Sequence, residues 1–332
     1  MIYRPVRERS SQKVEETIRK LIALTGWEEC SLVSLASCDY SGIDGLLTSL
    51  SNLSSDGVKL SLPSLRVDNF SVKLAAGLEV MKKGGLTLAP EAGSQRMRDV
   101  INKGVTDADL DSAIEAAFEH GWQKVKLYFM MGLPSETEED LAGIVELAER
   151  AAAIGRRHTK RAAINVSVAG FVPKGHTPFQ WVAQDSRESL AQKGSWLKKH
   201  VRSRAVSLKY HESEQSFVEG VLARGDRRVG AAILEAWRLG ERFDSWSETF
   251  SLDRWLEAFQ KTGIDPQFYA ARQRSESEMF PWDHIDIGVT KEFLLREYRK
   301  SMAAAVTPDC RTSACNACGW QNKGCAWCGG ER

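Results

Sequence analysis

The chain has 332 residues, a formal net charge of +1, 42% hydrophobic residues and 27% charged residues. This composition is typical of a soluble globular protein with one large domain and room for a smaller one. A net charge so near zero argues against a whole-chain attraction to nucleic acid or to an anionic membrane. No apolar run approaches the roughly 18 residues that span a bilayer, and the first residues lack the apolar core of a signal peptide. We therefore expect a cytoplasmic protein.

Five short apolar runs are predicted to form buried parallel strands, because each is strand-length and mostly continuous rather than strictly alternating. They cover residues 31–37, 58–62, 86–89, 125–131 and 164–170. Helical patterns separate them, which predicts a series of strand–helix–strand units and hence a parallel α/β sheet. In such a sheet, wound openly or closed into a barrel, the ligand site lies at the carboxyl ends of the strands.

Capping signals mark several helix ends. A first helix is predicted from about Ser11 to Leu24, with Gly26 as its stop. Thr106 followed three residues later by Asp109 predicts a second helix start, and Thr137 predicts a third.

After about residue 205 we expect the strands to stop. Helical patterns follow at residues 212–224, 228–241, 252–262 and 290–304. Tryptophans accumulate in this part of the chain, and we expect them to pack in the core of a small helical unit rather than form a ligand cage. They are Trp237, Trp246, Trp255 and Trp282.

Polar and glycine-rich segments follow the last three apolar runs, at residues 88–104, 131–141 and 171–179. A glycine at a strand end lets a ligand approach the backbone closely. Glu91 can accept hydrogen bonds from two hydroxyl groups, and Lys103 can pair with a carboxylate. The alternatives are that Glu91 is a helix-start acid favoured by the dipole and that Lys103 is a solvated surface lysine.

Taken in this order, the three segments resemble the radical S-adenosylmethionine (SAM) superfamily. The resemblance implies a partial (β/α) TIM-like barrel over residues 1–205, whose first strand is missing, followed by a helical region over 206–305 and a cysteine-rich tail over 306–332. It also implies SAM-binding positions at the strand ends. They are Glu91, Gly93, Ser94 and Lys103 for the ribose and the carboxylate, and Gly132, Leu133 and Pro134 for the adenine.

Two further positions, Ser37 and Asp39, follow the first apolar run, where the superfamily often binds the amino group of SAM. The usual G-G-E signal is absent there, and a turn-forming Asp39 is the alternative. Tyr128 stands where some members place a ribose-contacting acid, and we expect it to be a packed core tyrosine instead.

A narrower resemblance rests on residues 3–10, 37–42, 224–228 and 281–286. These segments are similar to an uncharacterised bacterial family of cobalamin-binding-type radical SAM proteins. That likeness implies an N-terminal cobalamin domain in relatives and methyl transfer as a plausible outcome, with no substrate assigned.

The superfamily holds a [4Fe–4S] cluster with the spacing C-x3-C-x2-C, and no such spacing occurs in this sequence. By comparison with relatives, we expect the sequence to begin immediately after the cluster loop, so that this chain alone would be inactive. A truncated sequence explains this better than a natural loss, because the later motifs remain. The alternatives are a half-protein that pairs with another chain and a non-catalytic relative.

Five cysteines crowd the tail. Cys315, Cys318, Cys325 and Cys328 form two C-x2-C pairs, a pattern typical of Zn²⁺ or of an auxiliary iron–sulfur cluster. Cys310 is then the spare thiol. We expect metal to order a segment that has no core of its own, and the alternative is a frayed tail without metal.

The sequence therefore supports two hypotheses. The first is a radical SAM enzyme that cleaves SAM reductively to a 5′-deoxyadenosyl radical, which abstracts hydrogen from an unknown substrate. The second is a non-catalytic binding module with a zinc hook that recognises RNA or a protein partner. Basic runs at 156–161 and 198–204 could hold RNA phosphates, although solvated helix faces explain them as well.

Overall fold

The computed structural model describes residues 7–32, 40–50, 58–61, 86–310 and 312–323. Six strands lie in these residues: β1 (Glu29–Ser31), β2 (Lys59–Ser61), β3 (Leu86–Glu91), β4 (Lys124–Met131), β5 (Ala163–Gly170) and β6 (Val206–Tyr210). The helices are α1 (Ser11–Thr25), α2 (Ile43–Leu50), α3 (Gln95–Val100), α4 (Asp107–Glu119), α5 (Glu138–His158), α6 (Arg187–His200), α7 (Ser213–Arg224), α8 (Val229–Arg238), α9 (Leu252–Lys261), α10 (Pro266–Ala270) and α11 (Lys291–Met302).

The strands form parallel sheets. β1 pairs with β2, and a second sheet has the order β3-β4-β5-β6. Every neighbouring pair is parallel and consecutive along the chain, with helices in the connections. The predicted α/β class with a parallel sheet is thus confirmed, whereas the barrel remains a prediction. Most of the run at 31–37 lies outside the described residues.

Helices cover one face of the four-stranded sheet, and the described side chains on the other face are exposed or half-buried. On β4, Val125, Leu127 and Phe129 are buried among apolar side chains of α4 and α5, while Lys126 and Tyr128 between them are exposed. The expectation of a continuously buried strand is therefore wrong for β4, because only alternate side chains meet the helices. Tyr128 is 42% exposed and is not a packed core tyrosine.

The strands do not stop at residue 205, since β6 extends the sheet from Val206 to Tyr210. This strand escapes the sequence pattern because Ser207 and Lys209 face solvent and break the apolar run. The division of the chain into domains stays a prediction.

Local capping chemistry places the helices as the sequence predicts. α4 and α5 both begin with a complete capping box, made by Thr106 with Asp109 and by Thr137 with Asp140. α1 ends at Gly26, whose φ of 69° is the left-handed cap that glycine favours.

The helical region packs around its own apolar cluster, which includes Phe217, Val221 and Phe259. Trp255 is buried there as expected, but Trp237 and Trp246 are exposed. The prediction that these two residues lie in the core is wrong. The Arg242 guanidinium carbon lies 4.6 Å from the centre of the Trp237 ring, a cation–π contact at the surface.

No helix in the described part of the chain combines the length and the apolar character required to cross a membrane.

The loop after β3 lies directly against α5. A Cβ added to Gly93 would stand 2.2 Å from the backbone nitrogen of Ile144 and 2.4 Å from the carbonyl carbon of Gly143. No side chain fits in that gap, so Gly93 allows the loop to approach the helix backbone.

Gly93→Ala is expected to lower the free energy of unfolding by about 1–3 kcal/mol, because the added methyl group would force the loop away from α5. Gly230 is the matched control, since a Cβ there meets no atom within 4 Å and alanine is favoured in a helix by roughly 0.5–1 kcal/mol. Urea denaturation compares the two variants. A Gly93→Ala protein as stable as the wild type would contradict the close contact.

Candidate functional site

The loops that follow three neighbouring strands meet at the carboxyl edge of the sheet. An apolar cluster joins them: Ala92 and Met97 come after β3, Leu133 after β4 and Phe171 after β5. The structure thereby brings together the segments that sequence analysis singled out after these strands.

Glu91 ends β3 at an irregularity in the pairing with β4 and has a φ of 69°. Its Oε1 lies 3.3 Å from Nζ of Lys103, and the two side chains are 30% and 21% exposed. The backbone N–H of Lys103 donates to the carbonyl of Arg98 at 2.8 Å. Glu91 precedes the N-cap of α3, Ser94, by three residues and so is not a helix-start acid. The two groups form a partly exposed ion pair at the strand end.

A turn after β4 is held by a carboxylate that sequence analysis missed. Gly132 has a φ of 77°, and its N–H donates to Oε2 of Glu136 at 2.9 Å. The same oxygen lies 2.7 Å from Nζ of Lys193, which is also 2.8 Å from Asp185. Burial raises the pKa of the Glu136 carboxyl even though Lys193 favours its charged form. The network fixes the backbone of the Gly132 turn.

Within that turn, the side chain of Leu133 is buried in the apolar cluster and Pro134 is half-buried. A Cβ at Gly132 would meet Leu190 at 2.9 Å. The side chain of Leu133 is thus occupied by packing within the protein.

Ser94 and Asp140 connect the loop after β3 to the start of α5. The Ser94 hydroxyl accepts the Met97 N–H at 3.1 Å and donates to Asp140. Asp140 also accepts from Thr137 and pairs with Arg96. Burial opposes ionisation, but the hydrogen bonds from Arg96, Ser94 and Thr137 outweigh it and lower the pKa of Asp140 to about 2. The Ser94 hydroxyl is therefore engaged within the protein.

Ser37 and Asp39 lie outside the described residues, as do Cys325 and Cys328. Among the described residues, no group of three potential ligands is placed to hold a metal ion.

The described part of the tail packs on α11. Cys318 is 4% exposed, in an apolar cluster with Trp181 and Phe293, and its carbonyl accepts the Thr290 N–H at 3.0 Å. The described tail residues therefore join an apolar cluster formed mainly by other parts of the chain rather than a core of their own. Cys315 is exposed, and its sulfur accepts the Ala317 N–H at 3.5 Å.

The two basic runs lie at the other edge of the sheet. α5 ends at His158 before β5 begins at Ala163, and α6 ends at His200 before β6 begins at Val206. Both runs therefore lie near the amino ends of the strands, opposite the edge that carries Glu91 and Lys103.

Comparison with known proteins gives a match between residues 1–148 and the model of the radical SAM superfamily. The chain is 28% identical over 263 residues to the uncharacterized protein MJ0966 of Methanocaldococcus jannaschii, a match that covers 79% of this chain and 56% of that protein. A solved structure of Streptococcus suis SuiB bound to precursor peptide SuiA aligns with a TM-score of 0.43 and 15% identity, over 66% of this chain and 46% of that one. The chain spans about half the length of these relatives.

Asp140→Asn is expected to lower the free energy of unfolding at pH 7 by about 1–3 kcal/mol, because charge-assisted hydrogen bonds are lost from a buried site. Folding lowers the pKa of Asp140 from 3.8 to about 2. The carboxylate therefore stabilises the fold fully above the higher value and loses that effect as the pH falls towards the lower one. Urea titrations at pH 7, 4 and 2.5 should show the difference from wild type shrinking.

The matched control is Asp109→Asn, which changes the same capping-box position of α4 without removing an ion pair with arginine. Its loss should be smaller, about 0.5–1 kcal/mol. Equal losses at the two positions would contradict the role given to Arg96 and Ser94.

Proposed function

We propose, from the match of residues 1–148 to the model of the radical SAM superfamily, that the carboxyl edge of β3–β5 binds SAM in an enzyme that carries out radical chemistry. The observation that supports this most is the partly exposed Glu91–Lys103 pair at the end of β3. The residue that follows Glu91, Ala92, shares an apolar cluster with Leu133 of the turn after β4.

The donor set at this edge fits the chemistry of SAM. The Glu91 carboxylate can accept hydrogen bonds from the two ribose hydroxyls, and Lys103 can pair with the methionine carboxylate. The backbone of Gly132, Leu133 and Pro134 would face the adenine, Gly93 and Ser94 would shape the loop beside the ribose, and Ser37 and Asp39 would receive the amino group. Within the protein, Glu136 and Lys193 keep the adenine turn in place.

The cysteines of this chain do not fit a [4Fe–4S] cluster of the superfamily type, because the sequence contains no C-x3-C-x2-C spacing. The proposal therefore requires the three cluster thiolates to come from another segment or another chain. SAM bound with a reduced cluster supplies radical chemistry, whereas the protein positions and shields the reactants. Cobalamin and methyl transfer are a finer proposal that rests on the sequence resemblance alone.

Glu91→Gln is expected to weaken SAM binding by about 1–3 kcal/mol, because the neutral amide accepts more weakly from the ribose and leaves Lys103 without its partner. Glu257→Gln is the matched control, since Glu257 also pairs with a lysine, Lys261, at 2.8 Å, but on α9 in the helical region. Isothermal titration calorimetry with SAM compares the variants, each joined behind a segment that carries a C-x3-C-x2-C loop with its cluster in place. Equal affinities for Glu91→Gln and wild type in that form, or no binding to the wild type, would refute the assignment.

A metal site in the tail is a separate proposal. It is supported by the two C-x2-C pairs of the sequence and by the turn between the first two cysteines. There the Cys315 sulfur accepts the N–H of Ala317, which has a φ of 49°. Thiolates bound to a metal accept such backbone hydrogen bonds, which stabilise their negative charge.

Purified protein is expected to contain about one zinc per chain, or iron if the tail holds an auxiliary cluster. Cys315→Ser should abolish the metal, whereas Cys30→Ser, which changes a thiol on β1, should leave the content unchanged. Elemental analysis measures both variants. Metal content that does not respond to Cys315→Ser would contradict the proposal and favour a tail held by packing alone.

The second candidate function is a non-catalytic module that binds RNA or a protein partner. The missing cluster spacing favours it, and the basic runs at 156–161 and 198–204 offer a surface for RNA. That surface lies at the opposite edge from Glu91, so RNA binding would survive Glu91→Gln.

A further inference from the structure

The open face of the four-stranded sheet carries polar and cationic side chains in rows. Parallel pairing aligns Thr87, Lys126, Asn165 and Ser207 in one row. The same register aligns Tyr128, Ser167 and Lys209 in the next row towards the carboxyl edge. Side chains on this face are exposed or half-buried, whereas their sequence neighbours on β4 and β5 are mostly buried against the helices and Leu208 on β6 is half-buried.

This face differs from the interior of a closed barrel, which is filled by layers of bulky branched apolar side chains. Lysine cannot be packed into such an interior unless an anion accompanies it, because the desolvation of an unpaired ammonium is costly. Lys126 and Lys209 form no ion pair or hydrogen bond with another described residue. Lys126 and Lys209 are both exposed, so their ammonium groups are accessible to solvent and to a dissolved anion.

The two lysines are placed to act on one ligand. They lie two strands and two residues apart, which puts their Cα atoms about 12 Å from each other at ordinary strand spacing. Tyr128, Asn165 and Ser167 lie between them on the same face. Each lysine side chain extends about 6 Å, so both ammonium groups can reach a group bound above Ser167.

We propose that this face binds a phosphate group of the substrate, held by Lys126 and Lys209 with the Tyr128 hydroxyl between them. Two compact ammonium charges and several hydroxyl and amide donors from separate strands suit a tetrahedral group with several oxygens. A planar carboxylate is better matched by a guanidinium fork. The inference names the substrate class for the proposed radical SAM site and rests on that function.

The geometry also places the reacting atom. The row that contains Tyr128 lies two residues along the strands, or about 7 Å, from the last row before the carboxyl edge. A substrate anchored by its phosphate at Lys126 and Lys209 would extend its remaining part towards Glu91 and Lys103. We therefore expect a small phosphorylated substrate whose reacting carbon is several bonds away from the phosphorus.

Inorganic pyrophosphate is the probe, and calorimetry at low ionic strength is the measurement. Lys126→Gln and Lys209→Gln should each weaken its binding roughly tenfold or more, because each removes a charge-assisted hydrogen bond. Lys261→Gln, on α9, makes the same change of charge and should leave the affinity unchanged. Malonate tests carboxylate binding at the same site and should bind more weakly.

Pyrophosphate binding that is absent, or that does not depend on Lys126 and Lys209, would overturn the inference. Malonate binding as tight as pyrophosphate would overturn the choice of phosphate. A parallel titration with SAM, made on the chain joined behind a segment that carries a C-x3-C-x2-C loop with its cluster, separates the two proposals. If pyrophosphate binds through the lysines but SAM does not bind, the phosphate site stands and the radical SAM function is refuted. If SAM binds but pyrophosphate does not, the radical SAM function stands and the phosphate site is refuted.

Discussion

The arrangement of the candidate site depends on the contact between the loop after β3 and the first turns of α5. Gly93 lies against the backbone at Gly143 and Ile144, and the side chain of Asp140 bonds to both Ser94 and Arg96 while it caps its own helix. The contact links the connection after β3 to the connection after β4. Because both connections are fixed on the same helix, the Glu91–Lys103 pair and the Gly132 turn stay at one edge of the sheet.

The two faces of the four-stranded sheet have different roles: one packs against helices, and the other presents polar side chains. Its helix-covered face supplies the apolar core through side chains such as Leu127, Val166 and Val168. The opposite face carries Lys126, Tyr128 and Lys209, which a dry core could not accommodate. The alternation of side chains along each strand therefore allows the same strands to stabilise the fold and to present a polar surface. The candidate SAM site and the proposed phosphate site are then neighbours on one continuous surface.

Sequence analysis succeeded where the signal is local. The capping boxes at Thr106 and Thr137 involve residues three apart, so their chemistry is visible in the sequence. Strand β6 was missed because Ser207 and Lys209 face solvent and hide the apolar pattern. Glu136 and Lys193 are 57 residues apart, and no local pattern links them before the chain is folded.

The candidate site was recognised by resemblance rather than by derivation from composition or spacing. Glu91 and Lys103 were singled out because the segment around them resembles the superfamily, and the structure adds their ion pair. The same motifs gave no indication of Lys126 and Lys209, since a lysine on a half-buried strand looks like any surface lysine. Their significance depends on the register between β4, β5 and β6, which only the fold reveals.

The central claim is that this edge of the sheet supports radical SAM chemistry once a cluster is supplied. The most direct measurement is 5′-deoxyadenosine, quantified by mass spectrometry after anaerobic reconstitution and dithionite reduction. It should be made on the chain alone and on the chain joined behind a segment that carries a C-x3-C-x2-C loop. The account predicts 5′-deoxyadenosine only from the second protein, with loss of the product when one loop cysteine is changed to serine. No product from the second protein, with a [4Fe–4S] cluster shown to be present by its absorbance, would contradict the account.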